Sequence, residues 1–212
     1  RYQDSHGAWS NWSAETSFTT RPAPDERVAC IYSHWEEGED RSKASNFKLL
    51  LEENGILVDL IPIADAGTYD YSAYCAIFIG PNTGNPPYQW LGSKEAVSAI
   101  DSSGKPIIGI GAGGICFFEQ LNDLAIGWGD CWGTTKLAIY VMDRDYQIFH
   151  TPNEIAIPDN SVIQLYSLGQ FQYAAYIPSP PPPDITLLGR QDDDLDHYPL
   201  VQQGTKYFLG DL

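Results

Sequence analysis

Residues 106–114, Pro-Ile-Ile-Gly-Ile-Gly-Ala-Gly-Gly, are where backbone chemistry and residue spacing converge in this sequence. An apolar strand that runs into Gly109-Ile110-Gly111-Ala112-Gly113-Gly114 and on into a helix, expected from about Gly114 to Asn122, must turn tightly. The first N–H groups of such a helix have no intrahelical acceptor, so they favour an anion or a developing negative charge. Ala112, Gly113 and Gly114 are therefore candidate ligand-facing residues. The crevice they border is expected to include His34, which ends an earlier apolar strand, and Asn82 in the GPNTG segment (80–84). Cys116 is the nucleophilic side chain closest to the turn, but it lies about one and a half turns into the helix, away from its tip. The glycines lack the G-x-G-x-x-G spacing with an acidic residue at the end of the next strand, so no dinucleotide, and no cofactor, is expected.

The remaining chemistry-bearing residues are scattered. Cys30, Cys75, Cys116 and Cys131 show no CxxC spacing, and no metal is expected. Cys30 and Cys75 read as small buried thiols in strands. Cys116 and Cys131 enclose a Gly- and Trp-rich segment and are the candidate disulfide pair in an oxidising compartment. The acidic runs EEGED (36–40) and DDDLD (192–196) do not match a twelve-residue calcium loop and read as solvated loops. Trp128 and Trp132, in IGWGDCWG (126–133), either pack a loop or form a platform for a sugar ring. Asn11, in Asn-Trp-Ser, is a formal glycosylation acceptor.

Strands that alternate with helices must position these groups. The apolar runs at 28–33, 56–63, 74–80 and 106–111 alternate with helical stretches at 42–55 and 93–101, the pattern of a parallel sheet covered on both faces. After about residue 137 the strand-like segments carry no helix between them, so antiparallel strands are expected in the C-terminal half. SPPPPD (179–184) must be an exposed bend, because it donates almost no backbone hydrogen bonds. The first twenty residues read instead as a short polar β-hairpin, joined by RPAPDE (21–26) to a main domain over 27–212. The chain has 212 residues, is 43% hydrophobic, and carries 12 basic against 28 acidic residues, a net charge of −16. Such a field disfavours nucleic acid and anionic lipid as partners, and no apolar run approaches a membrane span.

Residues 27 to about 170 resemble the class I glutamine amidotransferases, a flavodoxin-like fold whose nucleophile elbow reads P-[IV]-[LI]-G-[IV]-C-x-G. The resemblance puts Gly111 at the nucleophile position and Gly80 and Gly84 near the oxyanion loop. It also implies a His-Pro-Glu after a late strand, supplying the general base and its orienter; TKYFLGDL (205–212) contains none. A glycine can neither attack a carbonyl nor hold an acyl intermediate, so the expectation is a non-catalytic domain. The box Trp9-Ser10-Asn11-Trp12-Ser13 in turn resembles the last hairpin of a fibronectin type III domain. That resemblance implies part of a longer extracellular or cell-surface protein, with other domains or copies of the same chain as partners through the N-terminal strands, and glycans as further candidates. Two alternatives remain open: a hydrolase of the same fold completed by further sequence or a partner chain, and a carbohydrate-binding module using Trp128 and Trp132.

Overall fold

The computed structural model describes residues 27–33, 39–81, 83–84, 90, 92–126, 131–136, 138–151, 154–165, 170–191 and 195–210. Four short apolar strands form its parallel core: β1 (Arg27–Tyr32), β2 (Leu57–Pro62), β3 (Ala76–Ile79) and β4 (Ile107–Ile110). Near-continuous apolar runs suit this role, because strands covered on both faces have no solvent side to keep polar. Ala29, Ile31, Ile77, Ile79 and Ile107 point to one face and enter the main core. Their neighbours Val28, Cys30 and Phe78 point to the other face. There α1 (Glu39–Glu53) covers them with Phe47 and Leu51, the Phe47 ring lying 5.2 Å from that of Phe78.

Helices α2 (Lys94–Ser102) and α3 (Gly111–Leu121) cover the first face. Ala96, Val97 and Ile100 form the buried stripe of α2, which runs out toward Gly104 at φ +69°. Helix α3 begins at Gly111 rather than near Gly114, so Gly111, Ala112, Gly113 and Gly114 form its first turn. Glycine weakens a helix by about 1 kcal/mol per residue relative to alanine. Burial of residues 111–118 and the packing of Ile115, Phe117 and Phe118 hold this turn in place. Asn122 ends the helix in the left-handed conformation, its N–H donating to the Phe118 carbonyl.

The strand-rich second half extends the same sheet. Its elements are β5 (Cys131–Lys136), β6 (Ala138–Val141), β7 (Val162–Gln164), β8 (Gln170–Tyr176), β9 (Ile185–Gln191), β10 (His197–Tyr198), β11 (Leu200–Gln203) and β12 (Lys206–Leu209). Among the described residues the main sheet has nine strands in the order β2-β1-β3-β4-β12-β11-β9-β6-β7, and a second sheet runs β10-β8-β5. Strand β12 is parallel to β4, while β11, β9, β6 and β7 continue antiparallel, as the sequence leads one to expect. Part of the segment read as a Trp-rich loop is strand β5, paired along its length with β8. Residues 179–184 are exposed. No described helix is long and apolar enough to cross a membrane.

Candidate functional site

Strand β4 passes directly into α3, and the residue at the junction is Gly111 with φ +53°. This is the strand-to-helix elbow that the glycine run predicts, at the carboxyl end of the parallel strands. A Cβ placed on Gly111 would lie 3.3 Å from the Pro81 carbonyl oxygen, a tight contact, and 3.7 Å from that of Gly210. The left-handed backbone disfavours any residue but glycine by about 1–2 kcal/mol.

Gly210 is the second residue at this point. Leu209 of β12 is in register with Ile110 of β4, and the chain emerging from β12 therefore passes beside Gly111. The Gly210 N–H donates to Pro199 O at 2.7 Å, and its carbonyl accepts from Tyr173 N–H at 3.1 Å. A Cβ on Gly210 would collide with the Tyr173 carbonyl and come within 2.8 Å of Pro199 Cβ. Only glycine fits between β12 and the second sheet.

The 80–84 segment closes the third side. Gly80 N–H and the Thr83 hydroxyl both donate to Ile31 O, at 2.9 and 3.0 Å, and Trp90 Nε1 donates to Thr83 O at 3.0 Å. The loop is thus tied to the ends of β1 and β3 and to a fully buried indole. Its Pro81 carbonyl accepts the Gly113 N–H at 2.6 Å. A Cβ on Gly113 would sit 2.6 Å from Thr83 N and well inside contact with Gly80 O. Gly113 is a glycine because loop and helix touch backbone to backbone.

No protein-family model matches the sequence, and no curated protein matches it. Among solved structures, a protein assigned as part of a GMP synthase from Thermoplasma acidophilum aligns over 86% of this chain and 81% of its own, at 15% identity and a TM-score of 0.53. A glutamine amidotransferase from Thermotoga maritima aligns over 86% of this chain and 74% of its own, at 12% identity and a TM-score of 0.49. At this identity the first likeness shows the fold alone, a flavodoxin-like α/β sheet with mostly parallel central strands.

Set beside the resemblance carried by the sequence, two glycines stand out. Gly111 occupies the elbow position at which the resemblance expects the nucleophile, and Gly210 follows the late strand after which it expects the histidine. The second seat is not visible in the sequence, because it follows from the pairing of residues 209 and 110 across the sheet. Three expectations are corrected. The backbone of residues 112–114 is buried rather than ligand-facing, and the Gly113 N–H already has an acceptor, because the 80–84 loop packs on it. Cys116 is a buried thiol inside α3 and is not in a disulfide, so the pairing with Cys131 is not formed. Cys75 is exposed, since it precedes β3 rather than lying within it. Cys30 is fully buried as expected, and burial pushes its thiol up to about 12.

His34, Asn82, Trp128, Asn11 and the N-terminal hairpin lie outside the described residues. The backbone of Cys131 and Trp132 lies in β5. Among the described residues no three His, Cys, Asp or Glu side chains converge as a metal site.

Proposed function

We propose that this chain is a non-catalytic binding or structural module built on an amidotransferase-like fold. The observation that carries this is the pair of glycine seats: Gly111 at the elbow has no side chain, and Gly210 beside it admits none. Acyl transfer at an elbow needs a nucleophile and a base within hydrogen-bond reach of each other. A hydrolase completed by a partner chain would have to bring both groups to a point already closed by Pro81, Tyr173 and Pro199. The resemblance of residues 1–20 to a fibronectin hairpin supports an extracellular or cell-surface setting, with neighbouring domains or copies of the chain meeting the N-terminal strands.

The test is direct. The chain incubated with glutamine should release glutamate no faster than buffer, and a glutamine-analogue electrophile should leave its mass unchanged. Stoichiometric labelling of Cys116, or saturable glutamine turnover, overturns the proposal.

A further inference from the structure

The second face of the sheet holds a feature separate from the elbow. Beyond the reach of α1, strands β4, β12, β11 and β6 are covered, among the described residues, by the segment that follows β6, which includes the 3-10 turn Gln147–Phe149. Phe149 and Tyr146 plug part of the gap, packing with Val141, Leu188 and Leu200. Between this strap and the sheet remains a cavity of about 750 Å³, floored by Phe78, Ile108, Tyr207 and Leu209. That volume lies within the range of small-molecule sites, about 300–1,000 Å³. Ile148, Ile155 and Leu165 at its rim are 38%, 41% and 43% exposed, so apolar surface is left in contact with water.

Among the described residues no charged side chain lines the cavity, and the chain's net charge of −16 opposes an anionic guest. The cavity's polar lining side chains are Tyr146, Gln147, Thr151 and Tyr207, and the amide of Gln202 behind them orients both tyrosine hydroxyls. The Gln202 side-chain oxygen accepts a hydrogen bond from the Tyr146 hydroxyl. Its Nε2 donates to Gly204 O at 2.8 Å and to the Tyr207 hydroxyl oxygen at 3.2 Å. Tyr207 thus accepts from a fixed amide, and its own proton has no acceptor among the described residues. Burial, with Tyr146 adding to it, raises the Tyr207 pKa, so that proton stays on the oxygen at neutral pH.

We infer that this cavity is a binding site for a neutral, mainly apolar small molecule with one hydrogen-bond-accepting oxygen, held by the Tyr207 hydroxyl. The site is independent of the elbow and goes beyond the function proposed above. The probe is 6-propionyl-2-dimethylaminonaphthalene, a neutral aromatic ketone whose emission reports its surroundings, with 2-dimethylaminonaphthalene as its ketone-free control. Both should bind the full chain saturably, one per chain. Tyr207→Phe should weaken the ketone by about fivefold to tenfold and leave the control within about twofold, the selectivity of one lost hydrogen bond. Ile148→Trp, which fills the space from the strap, should weaken both probes by about tenfold. Should a variant fail to fold, hydrogen exchange on the unsubstituted chain decides: saturating ketone should slow exchange in residues 143–157 and leave β1 and β2 unchanged. Absence of saturable binding, several probes per chain, or an equal effect of Tyr207→Phe on both probes overturns the inference. So does a doubled mass in light scattering with the probe excluded, which would assign this face to a second copy.

Discussion

One sheet has two faces, and they are filled in opposite ways. On the face of α2 and α3, Phe117 and Phe118 meet edge to face at 5.5 Å, Trp90 meets Phe117 at 5.1 Å, and all three are fully buried. Gly109 is there because a Cβ would fall 2.7 Å from Gly114 Cα, closer than atoms pack in a protein interior. On the opposite face the same strands present Ile108, Tyr207 and Leu209 to an open cavity. The elbow at Gly111 belongs to the tight face, where the described residues pack backbone to backbone. The cavity described above lies on the other.

The sharpest way to break this contrast is to truncate one side chain on each face. Phe118→Ala removes a fully buried ring from packed neighbours and should cost about 3–5 kcal/mol in urea unfolding. Leu209→Ala removes a half-buried side chain whose neighbour is already a cavity, and should cost about 1–2 kcal/mol. Equal losses would mean that the cavity is filled in solution.

The packing at the elbow can be probed by adding one methyl group. Gly113→Ala drives a Cβ into the backbone of Gly80 and Thr83, neither of which can turn aside, and should cost about 3 kcal/mol. Gly111→Ala makes one tight contact, 3.3 Å to the Pro81 carbonyl oxygen, and adds the strain of its φ of +53°, so about 1–2 kcal/mol is expected. A smaller cost at 113 than at 111, measured by the same denaturation, would show that the 80–84 loop does not rest on the elbow.

How much of this is legible in the sequence depends on whether the signal is local. Strands β1, β3 and β4 announce themselves as short β-branched runs between turn residues, and the order of strands and helices in the first half follows from them. The sequence pattern misplaces the start of α3 because glycines in a first turn look like a loop; tertiary packing overrides their poor propensity. Strand β5 reads as loop because CWGTTK alternates weakly and owes its structure to pairing with β8. The glycine at the elbow is legible in the sequence at Gly111. The closed second seat is not, because it depends on a register between residues far apart in the chain and on the approach of Tyr173 from another sheet.

The smallest expected effect concerns the strap that walls the open face. Arg144 anchors it with bonds from Nη2 to Ile157 O at 2.9 Å and from Nη1 to Pro158 O at 2.7 Å. His150 adds two more: Nε2 lies 2.8 Å from Arg144 O and Nδ1 lies 2.9 Å from the Glu154 carboxylate. Both partners are acceptors, so both ring nitrogens must carry protons, which only the imidazolium does. The Glu154 hydrogen bond, the Arg144 carbonyl and, more weakly, the nearby Asp145 accordingly raise the His150 pKa above its ordinary value of 6.5. A pKa raised by folding contributes stability that is fully present below the unfolded value and is lost as pH rises through the folded one. Neutral His150 keeps one of the two bonds, so the strap should loosen on the alkaline side of that folded pKa. Amide exchange of residues 144–155, corrected for its intrinsic pH dependence, should therefore quicken as pH rises above the ordinary 6.5 and through the raised pKa, while that of α3 does not. Glu154→Gln should bring the His150 titration, followed by NMR, back toward 6.5 and flatten that difference. A strap whose exchange ignores both the pH step and the substitution is held by Arg144 and the apolar contacts of Phe149 alone.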